Sequence, residues 1–197
     1  HDDFYFCPGW DIALKNEIEK IGHNRFYLSG IMMNNGPIKC DFGNDLNSFD
    51  EKKFLNEYKN YNHYDFQGST WAPHLIHKEI WEKIGGFSEE FNPGVGSDPD
   101  LNMKLWKIGV RLFKGIGNCR VYHFSSLTLR KKVSNNGAKT FLLKWGISIK
   151  FFKRYYLRAN EQFTGPLSEP NKDIGFYIDY FKCKIAYIYH LLIFKIN

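Results

Sequence analysis

The alternation of helix and strand is clearest in residues 97–124, which read SDPDLNMKLWKIGVRLFKGIGNCRVYHF. The opening residues predict a helix start, with Asp98 as the N-cap and Pro99 as the first helical residue. Apolar residues at helical spacing continue this helix until a glycine ends it. The residues that follow predict two strands, over 110–113 and 120–124. A helix followed by strands in this way is typical of an α/β domain.

The remaining elements alternate in the same way. Pro166 and Pro170 indicate a linker before the last of them, so we divide the chain into a main domain over 1–165 and an aromatic-rich helical tail over 166–197. The predicted elements are a helix between Trp10 and Gly22, a strand over 26–33, a helix of about three turns after a capping box at 48–51 with Ser48 as N-cap, mixed strand and loop over 66–76, a helix over 78–84, two helices separated by residues 145–147, and a last helix from Ile174.

The composition excludes several classes of protein. Of 197 residues, 43% are hydrophobic and 18% aromatic, which excludes intrinsic disorder, a collagen-like fibre and a coiled coil. The net charge of +6 is compatible with polyphosphate, nucleic acid or an anionic membrane face, although a lysine-rich solvated surface explains it more simply. The four cysteines lie far apart without a CxxC pair, which predicts neither a zinc site nor a disulfide framework and indicates a reducing cytosol.

Two carboxylates, Asp2 and Asp3, stand at the start of the chain, before the first predicted helix. Neighbouring carboxylates can hold a divalent cation that in turn holds phosphate oxygens. The alternative is a solvated acidic segment that interacts favourably with the helix dipole, and on the sequence alone this alternative ranks first.

A second pair of carboxylates, Asp98 and Asp100, follows the glycine-containing loop 92–96. A carboxylate held at this helix start can take the proton of a substrate hydroxyl, and the loop has enough glycine to act as a lid hinge. The alternative is structural, with Asp98 capping the helix and Asp100 stabilising its first turn. On spacing alone the structural alternative ranks first.

A third candidate group surrounds His123, at the end of a predicted strand. A neutral imidazole is a competent manganese ligand, although a histidine in such a place is more often a partly buried hydrogen-bonding residue. The basic residues Arg130 and Lys131 follow, and they could bind a diphosphate or belong to an ordinary exposed cluster. Trp71 could stack on a sugar ring or belong to the core.

Five motifs that include these residues occur in an order known from one enzyme family. They are Asp2-Asp3, residues 68–73 (GSTWAP), residues 85–91 (GGFSEEF), residues 97–101 (SDPDL) and residues 122–124 (YHF). In this order and spacing, they make the sequence resemble glycosyltransferase family 2 over residues 1 to about 157. The resemblance implies a GT-A-like nucleotide-diphospho-sugar transferase fold, which is a mixed sheet flanked by helices.

The resemblance also implies roles for individual residues. Asp3 and His123 match the metal ligands of the family, and Asp2 matches a contact to the donor. Asp98 matches the catalytic base of inverting enzymes. Asp100 matches a second acid that helps to hold the acceptor.

These roles define an expected reaction. We assign Arg130 and Lys131 to the donor diphosphate, and Gly68 and Trp71 to the acceptor. A sugar is expected to move, in a single inverting displacement, from a nucleotide-diphospho-sugar to a hydroxyl of a glycan or lipid-linked acceptor. The expected cofactor is Mn²⁺ or Mg²⁺. The expected setting is cell-envelope polysaccharide biosynthesis on the cytoplasmic side.

The sequence departs from the family pattern at two positions. Ser97 stands where many relatives have glutamate, and His1 stands where the first acid of the Asp-x-Asp motif often lies. The family's nucleoside-binding strands precede this motif. We therefore expect such strands upstream of His1, and we interpret the chain as the metal-binding and acceptor-side half of a larger catalytic domain.

Three other interpretations stay open. A non-catalytic glycan-binding module derived from this fold would use the same cleft and Trp71. Basic and aromatic residues interleave over 150–156, but such a helix arises as readily from core packing, so we do not expect a nucleic-acid partner. The tail over 166–197 could lie peripherally on a membrane surface or pack on the main domain. Its apolar run 185–194 is too short to span a bilayer, which needs about 20 residues.

Overall fold

A five-stranded mixed sheet forms the centre of the molecule, with helices packed on both faces. The computed structural model describes residues 3–69, 71–124 and 135–196. The strands are β1 (Phe4–Phe6), β2 (Phe26–Asn34), β3 (Phe66–Gln67), β4 (His74–Ile76) and β5 (Leu112–His123). Their order is β1-β5-β2-β4, and β3 also pairs with β5. Strands β2 and β5 are parallel and the other pairs are antiparallel, so the predicted α/β class is confirmed.

The helices follow the predicted order. They are α1 (Trp10–Ile21), α2 (Glu51–Glu57), α3 (Lys78–Ile84), α4 (Ser97–Lys107), α5 (Gly137–Trp145), α6 (Ile149–Phe151) and α7 (Ile174–Ile196), with a π-helix (Phe152–Tyr156) directly after α6. The predicted bounds of α1, α3 and the start of α7 are confirmed. Within the part of the chain that the structure describes, no helix combines the length and hydropathy needed to cross a membrane.

Strand β5 is one continuous strand of 12 residues, whereas the sequence predicted two separate strands. That prediction was wrong because Gly115 and Gly117 were interpreted as turn residues between two strands. Both lie inside the strand, where close packing leaves no room for a larger side chain. A Cβ at Gly115 would collide with the ring of Phe66, and a Cβ at Gly117 would collide with the backbone carbonyl of His63. Parallel pairing with β2 runs to the end of β5 and places His123 at the edge where both strands finish.

Two predicted helix starts are wrong. The N-cap of α4 is Gly96, and Asp98 is the second residue of that helix. The N-cap of α2 is Asp50 rather than Ser48, because the Asp50 carboxylate accepts a hydrogen bond of 3.0 Å from a backbone N–H of the first turn. Ser48 instead donates to Asp45 in the preceding turn. Helix α2 continues directly into a 3₁₀-helix (Tyr58–Asn60), so the predicted length of about three turns is confirmed.

The main core lies between the sheet and helices α4, α5 and α7. Tyr27 and Phe113 of the sheet pack there against Leu101 of α4 and Phe141 of α5. Helix α7 contributes Phe176 to the same cluster, so the tail packs on the main domain. The outer side of α7 exposes six large apolar residues at helical spacing, and contact with a membrane surface through them stays a prediction. They are Ile174, Ile178, Phe181, Ile185, Ile188 and Leu192.

Candidate active site

Asp98 lies at the start of α4 and is mostly buried, but it does not cap the helix. The cap position belongs to Gly96, which has a left-handed conformation with φ of 89°, and no side chain bonds to the cap N–H groups. The Asp98 carboxylate instead interacts electrostatically with Tyr27 and Lys153. The structure thus excludes the N-cap alternative for Asp98, and its carboxylate is available for chemistry.

The surroundings of Asp98 change its acidity. Burial raises the pKa of Asp98 to about 6, and the positive charge of Lys153 opposes this rise. Burial also lowers the pKa of Lys153, and the charge of Asp98 opposes that change. A carboxylate with a pKa of about 6 is mostly ionised at neutral pH, yet it accepts a proton more readily than an exposed aspartate does. These are the properties of a general base near neutral pH.

Tyr27 on β2 completes this group, and the sequence interpretation missed it. The residue is fully buried, and its hydroxyl has no hydrogen-bond partner among the described residues. Burial and the charge of Asp98 raise the pKa of Tyr27 well above its usual value, so the hydroxyl stays neutral. A buried hydroxyl without a partner is costly, and a bound ligand or water can supply the missing bond. The available signal was a tyrosine inside the apolar strand FYLSGIMM.

Lys153 also lines a cavity of about 850 Å³, which Asp98 and Tyr27 do not line, and we call it the basic cavity. It lies between the start of α5, helix α6, the π-helix and the turn at 158–161, and His190 of α7 also lines it. The sequence placed Lys153 only in an interleaved basic and aromatic helix. In the structure, Lys153 lines this cavity and its charge also acts on Asp98. The cationic residues that line the basic cavity are Lys139, Lys150, Lys153, Arg154 and Arg158.

The sheet brings Asp3 and His123 into contact, and their role as metal ligands stays a prediction. Strand β1 is antiparallel to β5, and Nε2 of His123 lies 3.1 Å from a carboxylate oxygen of Asp3. An ionised carboxylate can only accept, so the tautomer of His123 that carries its proton on Nε2 makes this hydrogen bond, and a metal ion at this nitrogen would replace that proton. Only 18% of the His123 side chain and 17% of the Asp3 side chain are exposed. Nδ1 of His123 has no hydrogen-bond partner among the described residues.

The pair fits the donor set of a divalent cation. A carboxylate and an imidazole are ligands that Mn²⁺ accepts, and metals that bind substrate phosphates need few protein ligands. The described ranges contain no group of three or more His, Cys, Asp and Glu residues placed to hold a metal ion. His1 and Asp2 lie outside the described residues, as do Arg130 and Lys131, so their donor contacts stay predictions.

Asp100 is fully buried, and its carboxylate already accepts hydrogen bonds from other side chains of the protein. It accepts hydrogen bonds from Ser88 Oγ at 2.7 Å and Trp145 Nε1 at 2.8 Å, and Lys144 Nζ lies 2.9 Å away. Burial acts against the charged form of Lys144, but hydrogen bonds to Glu90 and Asp100 raise its pKa overall. These contacts tie α4 to α5, which is a structural role. A contact of Asp100 with an acceptor stays a prediction.

Gly68 lies on the segment between β3 and β4 and packs against the protein itself. Its φ is 64°, and a Cβ there would collide with the backbone carbonyl of Leu157, so a glycine is required. The next residue is held against α4, because Asn102 Nδ2 donates to the carbonyl of Ser69 at 2.8 Å. The segment therefore runs along the helix that carries Asp98.

Trp71 lies further along the same segment and is half-buried. It stacks on Phe66, with ring centroids 5.4 Å apart and an angle of 23° between the rings. Trp71 also lines a second cavity, of about 420 Å³. The acceptor contacts assigned to Gly68 and Trp71 stay predictions.

No protein-family model matches this sequence, and no curated protein matches it significantly. The resemblance to glycosyltransferase family 2 therefore depends on the five motifs alone and stays a prediction.

Proposed function

We propose that this chain is a metal-dependent inverting glycosyltransferase with a GT-A fold, similar to family 2. The observation that carries the proposal is Asp98, a mostly buried carboxylate at a helix start that is unused as a cap and has a pKa of about 6. The contact of 3.1 Å between Asp3 and His123 supports the proposal independently. A mixed sheet with helices on both faces is compatible with the proposed fold.

The proposed reaction follows from the chemistry of Asp98. Its carboxylate takes the proton of an acceptor hydroxyl, and the oxygen forms a bond to the anomeric carbon of the donor sugar. The bond from that carbon to the nucleoside diphosphate breaks on the opposite face, and the electron pair leaves with the diphosphate. Asp3 and His123 would hold a divalent cation, and such a cation would supply charge neutralisation for the leaving group.

The catalytic test compares two aspartates at equivalent helix positions. The full chain is incubated with Mn²⁺, a panel of nucleoside diphosphate sugars and glycoside acceptors, and release of nucleoside diphosphate is measured. Asp98→Asn should reduce kcat by about 100- to 10,000-fold, since general base catalysis contributes that much. The matched control is Asp11→Asn, because Asp11 is also the second residue of its helix but is exposed. Near wild-type transfer by Asp98→Asn would show that the base assignment is wrong.

A glycan-binding module is the second candidate, and one observation favours it. The smaller cavity is lined by the aromatic residues Tyr64, Phe66 and Trp71, and aromatic faces stack on sugar rings. Such a module would bind glycans without metal and independently of Asp98. Calorimetry with Mn²⁺ and nucleoside diphosphates separates the two candidates. Metal-dependent binding that Asp3→Asn removes supports the transferase, whereas metal-free glycan binding alone supports the module.

A further inference from the structure

Helix α7 has two apolar strips, of which one is covered by the protein and the other is exposed. The inner strip packs on the main domain, where Phe176 and Cys183 are buried and Tyr180 and Tyr187 are partly buried. The other strip, which we call the outer seam, consists of Ile174, Ile178, Phe181, Ile185, Ile188 and Leu192. Each of these six residues exposes between 52% and 80% of its surface. The inner strip therefore holds α7 in place, while the outer seam is open to solvent.

The outer seam has the spacing of a coiled-coil interface. Its residues follow one another at alternating steps of four and three, so they fill every a and d position of a heptad repeat from Ile174 to Leu192. Such a narrow strip is typical of a helix that packs on another helix. A helix that lies on a membrane instead has a strongly charged face opposite its apolar one. The face opposite the outer seam is the apolar inner strip, so the seam fits a partner helix better than a membrane surface.

The apolar area of the outer face is large enough for a stable interface. At about 150–250 Å² for each fully exposed side chain, the outer seam together with Tyr177, Tyr189 and Leu191 exposes on the order of 1,000 Å². The largest apolar patch of a monomeric protein is typically about 300–600 Å², and one partner in a stable interface contributes about 800 Å². Because α7 is already helical and packed on the domain, association does not have to order it.

The charges beside the outer seam indicate which kind of partner it fits. The charged residues between 174 and 192 are Asp179, Lys182 and Lys184. Lys182 Nζ lies 3.1 Å from Oδ1 of Asp179, and Lys184 Nζ lies 4.8 Å from the ring centre of Tyr180, which belongs to the inner strip. The seam itself carries no charge, so a charged partner gains nothing from it. A second copy of the same seam matches it in length and chemistry, as in closed symmetric oligomers.

The residues that flank the outer seam favour parallel helices. In a parallel coil each g residue faces the e residue of the next heptad in the partner. This places Tyr177 beside the partner's Lys182, and a cation next to an aromatic ring is favourable. Antiparallel packing of the same core positions would place Lys182 beside the partner's Lys182, where like charges repel.

We propose that α7 joins copies of this chain into a symmetric oligomer, in which the outer seams of parallel α7 helices pack against one another. Isoleucine predominates at both the a and the d positions, which favours three strands over two, so three copies are expected. The inference is independent of the proposed reaction, because no residue of the outer seam belongs to the candidate active site.

The primary test measures the mass of the full chain in solution by light scattering and sedimentation velocity over a range of concentrations. The wild type should have the mass of an oligomer. The double variant Ile178→Gln, Ile185→Gln should associate at least about 100-fold more weakly, because the interface would bury two unpaired amides from each chain. Both positions are exposed in the single chain, so the variant should keep its fold, which circular dichroism checks. The matched control Ile12→Gln, Ile18→Gln changes two exposed isoleucines of α1 and should leave the mass unchanged.

Cysteine crosslinking tests the parallel arrangement and does not depend on the glutamine variants. In parallel helices each a residue packs beside its own copy, so Ile178→Cys should form a disulfide-linked dimer on oxidation. In antiparallel helices Ile178 would lie beside the partner's Ile188, and a mixture of Ile178→Cys and Ile188→Cys would crosslink instead. The wild type, of whose four free cysteines three are buried, and Ile12→Cys are the controls that should stay uncrosslinked.

Co-sedimentation with vesicles of phosphatidylcholine and phosphatidylserine separates self-association from membrane contact. An oligomer that the double variant converts to a monomer, together with self-crosslinking of Ile178→Cys, supports the proposal. A wild type that is monomeric at every concentration overturns it, and pelleting with vesicles that the double variant abolishes would then make the outer seam a membrane contact. An oligomer that the double variant leaves intact, or crosslinking in the mixture alone, also overturns it.

Discussion

Helices α1 and α4 begin in the same way, yet the aspartates at their second positions lie in opposite surroundings. Each helix follows a left-handed glycine, with φ of 85° at Gly9 and 89° at Gly96, and neither has a side-chain cap. Asp11 of α1 is exposed, whereas Asp98 of α4 is mostly buried and has a pKa raised to about 6. Because the backbones match, the helix start itself does not produce the difference.

What differs is the layer of structure that covers each helix start. At α4, the charge of the carboxylate interacts electrostatically with Tyr27 of the sheet and Lys153 of the π-helix. The N-cap Gly96 is also closely packed, since a Cβ there would lie 3.0 Å from the carbonyl of Gly137, whereas a Cβ at Gly9 would meet nothing within 4 Å. The raised pKa of Asp98 is therefore a property of tertiary packing and not of its local sequence.

The largest effect on stability is expected at a third aspartate, Asp100, which is buried but fully bonded. Asp100→Ala should lower the free energy of unfolding by about 3–5 kcal/mol, because it leaves Lys144 and the indole N–H of Trp145 without their buried acceptor. Urea unfolding measures the change. Asp100→Asn, which keeps an acceptor oxygen, should lose less. A loss below about 1 kcal/mol for Asp100→Ala would contradict the structural role assigned to this network.

Asp98→Asn should change the free energy of unfolding in the opposite direction from Asp100→Ala. At neutral pH the native state holds a buried charge at Asp98 that the unfolded chain solvates freely, so removing the charge should raise the free energy of unfolding by about 1–3 kcal/mol. Asp11→Asn should instead lower it slightly, because an exposed acid near a helix N-terminus interacts favourably with the dipole. Urea unfolding of both variants at neutral pH checks the pair. Equal effects of the two substitutions would mean that Asp98 is no more buried than Asp11.

The higher free energy of unfolding expected for Asp98→Asn should also depend on pH, and this is a smaller effect that is specific to a titrating group. The folded pKa of Asp98, about 6, is above the value of 3.8 for an unperturbed aspartate, so the native state binds more protons between these limits. Wild-type stability should therefore fall, relative to Asp98→Asn, as pH rises from about 4 to about 6, and the difference should stay constant above that window. Unfolding midpoints of the two proteins across this range measure it. A difference that does not vary with pH would show that the substitution acts through packing alone.

Local signals predicted much of the fold. The left-handed glycines Gly22 and Gly85 end α1 and α3 where the sequence predicts, because a helix end depends on only a few neighbouring residues. The two strands predicted over 110–124 failed for the converse reason. Gly115 is in the strand because the ring of Phe66, distant in sequence, occupies the space of its missing side chain.

In the candidate site, too, residues in local sequence motifs could be predicted, whereas residues whose role depends on packing could not. The motif order named Asp3, Asp98 and His123, and the sheet does bring Asp3 and His123 into contact. Tyr27 and Lys153 were missed as site residues, because their role depends on packing between β2, α4 and the π-helix. The opposite surroundings of Asp98 and Asp11 could not be predicted either, since both residues fit a helix start equally well.

The most direct test of the account is the pKa of Asp98 in the free protein. The carboxyl ¹³C resonance of Asp98, assigned by its absence in Asp98→Asn, is followed by NMR through the acid and neutral range. We expect a midpoint at about pH 6, the value that burial produces. A midpoint near the usual value for aspartate, about 3.9, would contradict the claim that packing on α4 makes this carboxylate a general base.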